Sequence, residues 1–282
     1  MKKKFIEKII LGFKGFLIGL ANIIPGVSGG TMAITFGIYE DLITIASNIF
    51  NNFKKNISFL LPIIIGAVIS IGLLSNVITI ALDKYKIATP LLFVGLILGG
   101  MPAIFKNIGK KITKPKNIIS FIITILFMVF IYIGIKDSGN VSFNNMNLFG
   151  YIMLFIVGVI AAITMVVPGI SGSFVLMLIG YYEPIVETIS ELTKLNNILN
   201  NFLVLIPFGI VVLAGIISVS KLIKFCLNKY PEQTYSSIVA FVISSIFLII
   251  YPLFGIRCSI LELIVGIILL LVGTFITYKM EG

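Results

Sequence analysis

Residues 21–41 read ANIIPGVSGGTMAITFGIYED, and residues 164–184 read TMVVPGISGSFVLMLIGYYEP. Each places a proline, several glycines and hydroxyl side chains in the middle of a strongly apolar run. Proline removes a backbone donor and disfavours helix at the preceding residue, and glycine permits turns that other residues resist. PGVSGGT and PGISGS therefore each end one helix and begin another. At membrane depth such a break persists only where protein buries it or a cavity is lined by it.

The surrounding chain is membrane-like. It is 59% hydrophobic and 11% charged, with a mean hydropathy of +1.15, whereas about 25% charged residues is usual for a soluble domain. Apolar runs fall near 9–24, 31–50, 57–81, 88–105, 117–135, 148–167, 174–190, 202–220, 235–254 and 259–278. Several approach the roughly 20 residues that a helix needs to cross a bilayer. Alternating barrel strands are not legible, so the expected fold is an all-α polytopic membrane protein, a single membrane transport domain over 1–282.

The net charge of +10 has a plain explanation in lysine clusters, Lys2–Lys4 and Lys106–Lys116, of the kind that collect in cytoplasmic loops. With no basic solvated domain to host it, nucleic acid is not an expected partner; membrane lipids are. Cys226 and Cys258 match no metal or redox spacing and histidine is absent, so neither metal nor cofactor is expected. The N-terminus MKKKFIEKIILGFKGFLIGLANII resembles a signal peptide, but it has no small-x-small cleavage site and runs into the Pro-Gly motif. It reads as retained.

The two motifs belong to a tandem repeat. A shift of 143 residues (168 − 25) lays Pro25-Gly26-Val27-Ser28-Gly29 on Pro168-Gly169-Ile170-Ser171-Gly172, Gly15 on Gly158, Gly37 on Gly180, and Tyr39-Glu40 on Tyr182-Glu183. With two residues inserted, Pro62 falls on Pro207, Lys84-Tyr85 on Lys229-Tyr230 and Thr89 on Thr234. Repeat one covers about 1–140 and repeat two about 148–282. If 9–50 enters and leaves on the cytoplasmic side, the only basic residues outside are Lys84, Lys86, Lys136, Lys194 and Arg257, a positive-inside arrangement with a cytoplasmic N-terminus. Each repeat then holds a broken or re-entrant helix pair plus about three transmembrane helices. That odd number of crossings inverts the second repeat relative to the first, as in secondary transporters whose site lies where the halves meet. Runs 9–24 and 31–50 are read as two helices that either span or form a re-entrant hairpin; sixteen helical residues reach about 24 Å, short of a ~30 Å core, which favours the hairpin.

A helix that starts at such a break presents backbone N–H groups without internal partners, and Ser28, Thr31, Ser171 and Ser173 add hydroxyls there. This chemistry suits an anion, phosphate above all. The plain alternative is a packed kink capped by serine, which a duplicated break within an inverted repeat makes less economical. Glu40 lies 12 residues beyond Ser28 (40 − 28) and Glu183 12 beyond Ser171 (183 − 171), about 18 Å along a continuous helix. Each is either an interfacial carboxylate beside a tyrosine or a proton-coupling group. Lys14 is expected to snorkel towards the cytoplasm, Glu262 is a candidate partner for Arg257, and the Gly15/Gly19 and Gly95/Gly99 pairs read as close helix packing.

NIIPGVSGGTMAITFGIYEDLI and VVPGISGSFVLMLIGYYEPI resemble the bacterial polyprenyl-phosphate transporter family across essentially the whole chain. The resemblance implies a translocase that recycles undecaprenyl phosphate, a polyprenyl phosphate lipid, across the bacterial plasma membrane. By motif position it implies headgroup contacts from Asn22, Pro25, Gly26, Ser28, Gly29, Gly30 and Thr31, with Gly169, Ser171, Gly172 and Ser173 as counterparts. Asn22 falls on Met165, Gly30 on Ser173 and Thr31 on Phe174, so the first copy is the more polar and the expected main contact. A transporter of small anions fits the same motif. Membrane phosphatases resemble the chain loosely, but their turns carry an arginine where Gly29 and Gly172 stand here. With no histidine and Arg257 as the lone arginine, phosphoryl transfer lacks the charge it needs, and no catalytic residue is assigned.

Overall fold

The computed structural model describes residues 2–23, 27–134, 143, 146–193, 197–256 and 259–281. Pro25, Gly26, Lys136, Lys194, Arg257 and Cys258 lie outside them. The described residues are almost entirely helical. Repeat one contains α1 (Lys2–Ile23), α2 (Gly29–Thr35), α3 (Tyr39–Ser47), α4 (Phe53–Lys84), α5 (Ala88–Ile108), a 3₁₀ turn (Gly109–Thr113) and α6 (Pro115–Gly134). Repeat two contains α7 (Leu148–Val166), α8 (Gly172–Leu178), α9 (Tyr182–Thr193), α10 (Ile198–Lys229), α11 (Pro231–Ile250), a 3₁₀ turn (Tyr251–Gly255) and α12 (Ile260–Glu281). Among the described residues, seven helices are long and apolar enough to cross a membrane. The protein is a multi-pass, all-α membrane protein.

The sequence register of the two halves recurs in the backbone. The 143-residue shift carries the end of α1, Ile23, onto the end of α7, Val166, and the bounds of α2 onto those of α8. The 145-residue shift (207 − 62) carries α4 onto α10, both 32 residues long with a proline inside. Each of these long helices is preceded by an asparagine in the left-handed region, Asn52 at φ 56° and Asn197 at φ 44°, a conformation that asparagine tolerates better than most side chains.

One expectation needs correcting. The run 31–50 is not a single helix but two short ones, and so is its counterpart. After α2, the Gly37 N–H bonds the Ile34 carbonyl (2.8 Å) and the Ile38 N–H bonds the Ala33 carbonyl (2.9 Å), with Gly37 at φ +66°. After α8, Gly180 bonds Met177 (3.0 Å) and Tyr181 bonds Leu176 (2.9 Å), with Gly180 at φ +75°. This is the Schellman termination, in which a left-handed residue closes the last turn. The apolar periodicity continues through the turn, which is why the sequence reads as unbroken. Neither the 7 residues of α2 nor the 9 of α3 can cross a ~30 Å core at about 1.5 Å per residue.

Helices pack through small residues, as the glycine spacing suggests. A Cβ on Gly15 would stand 2.5 Å from the Ile63 α-carbon, and one on Gly19 would stand 2.5 Å from the Ala67 carbonyl oxygen, which brings α1 against α4. Gly95 faces the Leu270 backbone and Gly99 that of Thr274, bringing α5 against α12. In the same way α7 packs on α10, and α6 packs on α11, so the last helix of each repeat lies on the fifth-position helix of the other. The main core gathers α2, α3, α5 and α11, with Met32, Phe36, Phe93, Ile97, Val239 and Val242 fully buried.

Candidate functional site at the paired helix breaks

The two breaks meet in the protein interior. Thr31 is fully buried, and its hydroxyl accepts a hydrogen bond from the Gly169 N–H at 2.7 Å. A Cβ on Gly30 would stand 3.1 Å from the Pro168 α-carbon, so the backbones of the two motifs touch where glycine leaves room. Gly169 adopts φ +84°, and a Cβ there would lie 2.5 Å from the Phe241 carbonyl on α11. Conformation and space both require glycine at that position.

In the first copy, Ser28 takes an extended backbone (φ −103°, ψ 132°) at the N-cap of α2, and its hydroxyl makes no capping hydrogen bond. The first intrahelical bond runs from the Met32 N–H to the Ser28 carbonyl at 3.2 Å. The N–H groups of Gly29, Gly30 and Thr31 thus precede the ladder. Ser28 is buried, Gly29 half-buried and Gly30 buried. Asn22 is the next-to-last residue of α1; its side chain is exposed, with Oδ1 2.7 Å from where a Gly29 Cβ would stand.

In the second copy, the Val175 N–H bonds the Ser171 carbonyl at 3.0 Å, so the N–H groups of Gly172, Ser173 and Phe174 precede that ladder. The Ser171 and Ser173 hydroxyls lie 3.1 Å apart. Ser171 is buried, while Gly172 and Ser173 are half-buried. The structure therefore brings Gly30 and Thr31 together with Pro168 and Gly169, and sets Ser28 and Ser171 on the flanks of that contact.

Glu40 and Glu183 stand apart from it. Because Gly37 and Gly180 break the helices, neither glutamate lies on the helix that begins at the motif. Each sits in the first turn of the next helix, α3 or α9, and each is exposed. Glu40, with Asp41, Tyr39, Asn107 and Tyr235, lines a cavity of about 240 Å³ between the α2–α3 turn, α5 and α11.

One further expectation changes. Lys14 does not snorkel outward: its Nζ donates to the Phe36 carbonyl at 2.6 Å, an acceptor left over when α2 terminates at Gly37. Glu262 accepts from the Ile87 N–H at 3.1 Å, ahead of α5; its expected partner Arg257 lies outside the described residues. Two groups went unassigned in the sequence. Tyr39 is buried and donates to the Val166 carbonyl at 3.0 Å, across the repeats. Thr164, whose hydroxyl donates to the Ala161 carbonyl, stands 3.1 Å from where a Gly172 Cβ would be. It fills the place that Asn22 takes beside Gly29, although the linear alignment puts Met165 there. The YE and YYE spacing after each glycine was the available signal for Tyr39, but not for its acceptor.

A family model described as VCA0040-like, undecaprenyl phosphate translocase-like, matches residues 18–256, across both breaks. The chain belongs to this family. It is similar to a protein from Staphylococcus aureus named polyprenyl-phosphate transporter, with 35% identity over 94% of this chain and 93% of the relative. A protein of the same name from Vibrio cholerae is 29% identical over 87% of this chain and 79% of the relative. No solved structure matches significantly. Both breaks thus fall within the region shared with the family.

Proposed function

We propose that the protein translocates undecaprenyl phosphate or a related polyprenyl phosphate across the bacterial plasma membrane, and that the paired breaks hold its phosphate. Similarity over most of the chain to two relatives named polyprenyl-phosphate transporters supports the substrate class. The observation that carries the site is the junction itself, where the Thr31 hydroxyl takes the Gly169 N–H. It gathers two sets of N–H groups ahead of their helical ladders, with Ser28, Ser171 and Ser173 beside them. Asn22, Gly29 and Gly172 flank this polar centre, and Pro25 and Gly26 complete the first motif in sequence. A helix of 7 residues has little macrodipole, so local N–H and hydroxyl donors do the recognition. Thr31, fully buried and engaged with Gly169, acts as a strut that sets the distance between the two donor sets.

Inverted repeats within one transport domain, with a cytoplasmic N-terminus, fit the contacts around α5 and α10. Lys111 and Lys114, at the α5–α6 turn, pair with Glu232 at the start of α11 (3.4 and 2.9 Å). The Asn48 amide, oriented to accept, takes a hydrogen bond from Lys224 at 3.2 Å. The end of α3 thus lies with the C-terminal end of α10, whereas Asn197, the counterpart of Asn52, precedes its far end. At about 1.5 Å per residue, the 32-residue α10 separates those ends by about 48 Å. The reading is of a carrier and not an enzyme: Gly29 and Gly172 occupy the positions where a phosphatase turn needs arginine. Glu40 or Glu183, in the first turns of α3 and α9, is proposed to link translocation to protons.

The test is headgroup binding. Purified protein is titrated with a fluorescent polyprenyl phosphate, with inorganic phosphate and the dephosphorylated prenol as competitors. Ser28→Ala should cost about 1–3 kcal/mol of binding, the scale of a lost charge-assisted hydrogen bond, and Gly29→Leu should do worse. Binding unaltered by both substitutions, or equal competition by the prenol, would overturn the phosphate site. Competition by inorganic phosphate alone would favour a small-anion carrier.

A further inference from the structure

We infer that Tyr39 and Tyr182 are a pair of alternating latches, one closed and one open in this structure, each built to hold the broken helix of the opposite repeat. The inference rests on the repeat reading above, though not on the identity of the substrate. Tyr39 is the first residue of α3 and Tyr182 the first of α9. The Tyr39 hydroxyl, on a side chain only 5% exposed, donates to the carbonyl of Val166. Val166 is the last residue of α7, where a carbonyl has no intrahelical donor. The matching acceptor for Tyr182 is the carbonyl of Ile23, the last residue of α1 (166 − 143). Tyr182 is half-exposed, and among the described residues its hydroxyl makes no hydrogen bond. One latch is made and its mate is not.

The packing around the two tyrosines is lopsided in the same sense. α3 lies against α10 and α2 against α5, whereas α9 has no comparable packing on α4 among the described residues. Ile34 on α2 is 7% exposed, and its mate Met177 on α8 is 46% exposed. The turn before Tyr39 is also fastened by Lys14 through the Phe36 carbonyl; the mate of Lys14 is Val157, which has no donor to offer. Each tyrosine follows its Schellman glycine by two residues, so rotation at Gly37 or Gly180 moves a latch without disturbing the helix break. Exchange of the two repeats' conformations places Tyr182 on the Ile23 carbonyl, seats α9 on α4, and frees Tyr39 and α3. Tyr39 and Tyr182 are positioning residues: they bias which side of the junction is closed.

The experiment uses full-length protein with Cys226 and Cys258 replaced by serine and one cysteine at Ser47, a residue of α3 that is 2% exposed. It is reconstituted in phosphatidylethanolamine/phosphatidylglycerol vesicles without polyprenyl phosphate, and maleimide labelling is timed. Tyr39→Phe should speed labelling about fivefold, the population shift set by one net hydrogen bond. Tyr182→Phe should slow it by a similar factor. A cysteine at Ile43, also buried on α3, provides the same readout if the Ser47 variant does not fold. A cysteine at Ser236, fully buried on α11, should label equally in all three backgrounds. Shifts in the same direction, no shift at either position, or faster labelling at Ser236 with Tyr39→Phe would overturn the latch. Opposite shifts in a protein that does not move polyprenyl phosphate would uphold the latch and refute the substrate.

Discussion

Replacing Thr31 by valine keeps the size and branching of the side chain and removes one oxygen. That oxygen accepts the Gly169 N–H at 2.7 Å, in a side chain with no exposed surface. The N–H cannot turn to another acceptor, because Gly169 is held at φ +84° with the Phe241 backbone against its α-carbon. A buried donor left in this way costs about 1–3 kcal/mol, roughly a 5- to 150-fold change in the folding equilibrium. Nothing else at the site changes, so the whole loss should appear in the free energy of unfolding. Denaturant titration in mixed micelles measures it directly. Thr31→Val should unfold at clearly lower denaturant, and Thr31→Ser, which keeps the acceptor, should recover most of the difference. A Thr31→Val protein as stable as the parent would refute the strut between the two breaks.

Three other outcomes are expected. Gly66→Ala drives a Cβ into the Gly12 carbonyl and towards the Phe16 amide on α1, and should cost about 1–3 kcal/mol of stability or more; Gly72→Ala on the same helix meets nothing within 4 Å and should be neutral or stabilising by up to about 1 kcal/mol, as the same titration would read. Single cysteines at Asn52 and Asn197, in a background without Cys226 and Cys258, should react with an impermeant maleimide from opposite sides of the membrane, and reaction from one side would refute the inverted repeat. Gln at Glu40 or Glu183 should leave binding largely intact and make transport insensitive to a pH gradient, because an amide cannot take up and release the coupled proton; a parent-like response from both variants would make the glutamates interfacial anchors.

The repeat was legible in the sequence because proline, glycine and asparagine punctuate a helix at fixed places. Pro62 and Pro207, Asn52 and Asn197, and the two Schellman glycines recur in register, and the element bounds follow them. The splitting of 31–50 was not legible, although Gly37 was visible: a left-handed cap differs from a tolerated helical glycine only in where the flanking N–H groups go. The position of Lys14 depended on that same turn, since its acceptor exists only if α2 ends there. The site residues were legible by type but not by partner. That Thr31 would engage Gly169, and Tyr39 the end of α7, depends on contacts 138 and 127 residues apart in sequence. Thr164 illustrates the limit of linear alignment, since a polar group one position off register fills the same space in three dimensions.

Liposome reconstitution with a leaflet-specific reporter for undecaprenyl phosphate tests the central claim most directly. Vesicles are loaded with the lipid in one leaflet, and its arrival in the other is timed with the parent, Ser28→Ala and Gly29→Leu proteins. The parent should move the lipid well above the protein-free rate, Ser28→Ala should be slower, and Gly29→Leu should fall close to the protein-free rate. A parent protein no faster than empty vesicles, or three proteins of equal rate, would contradict the account.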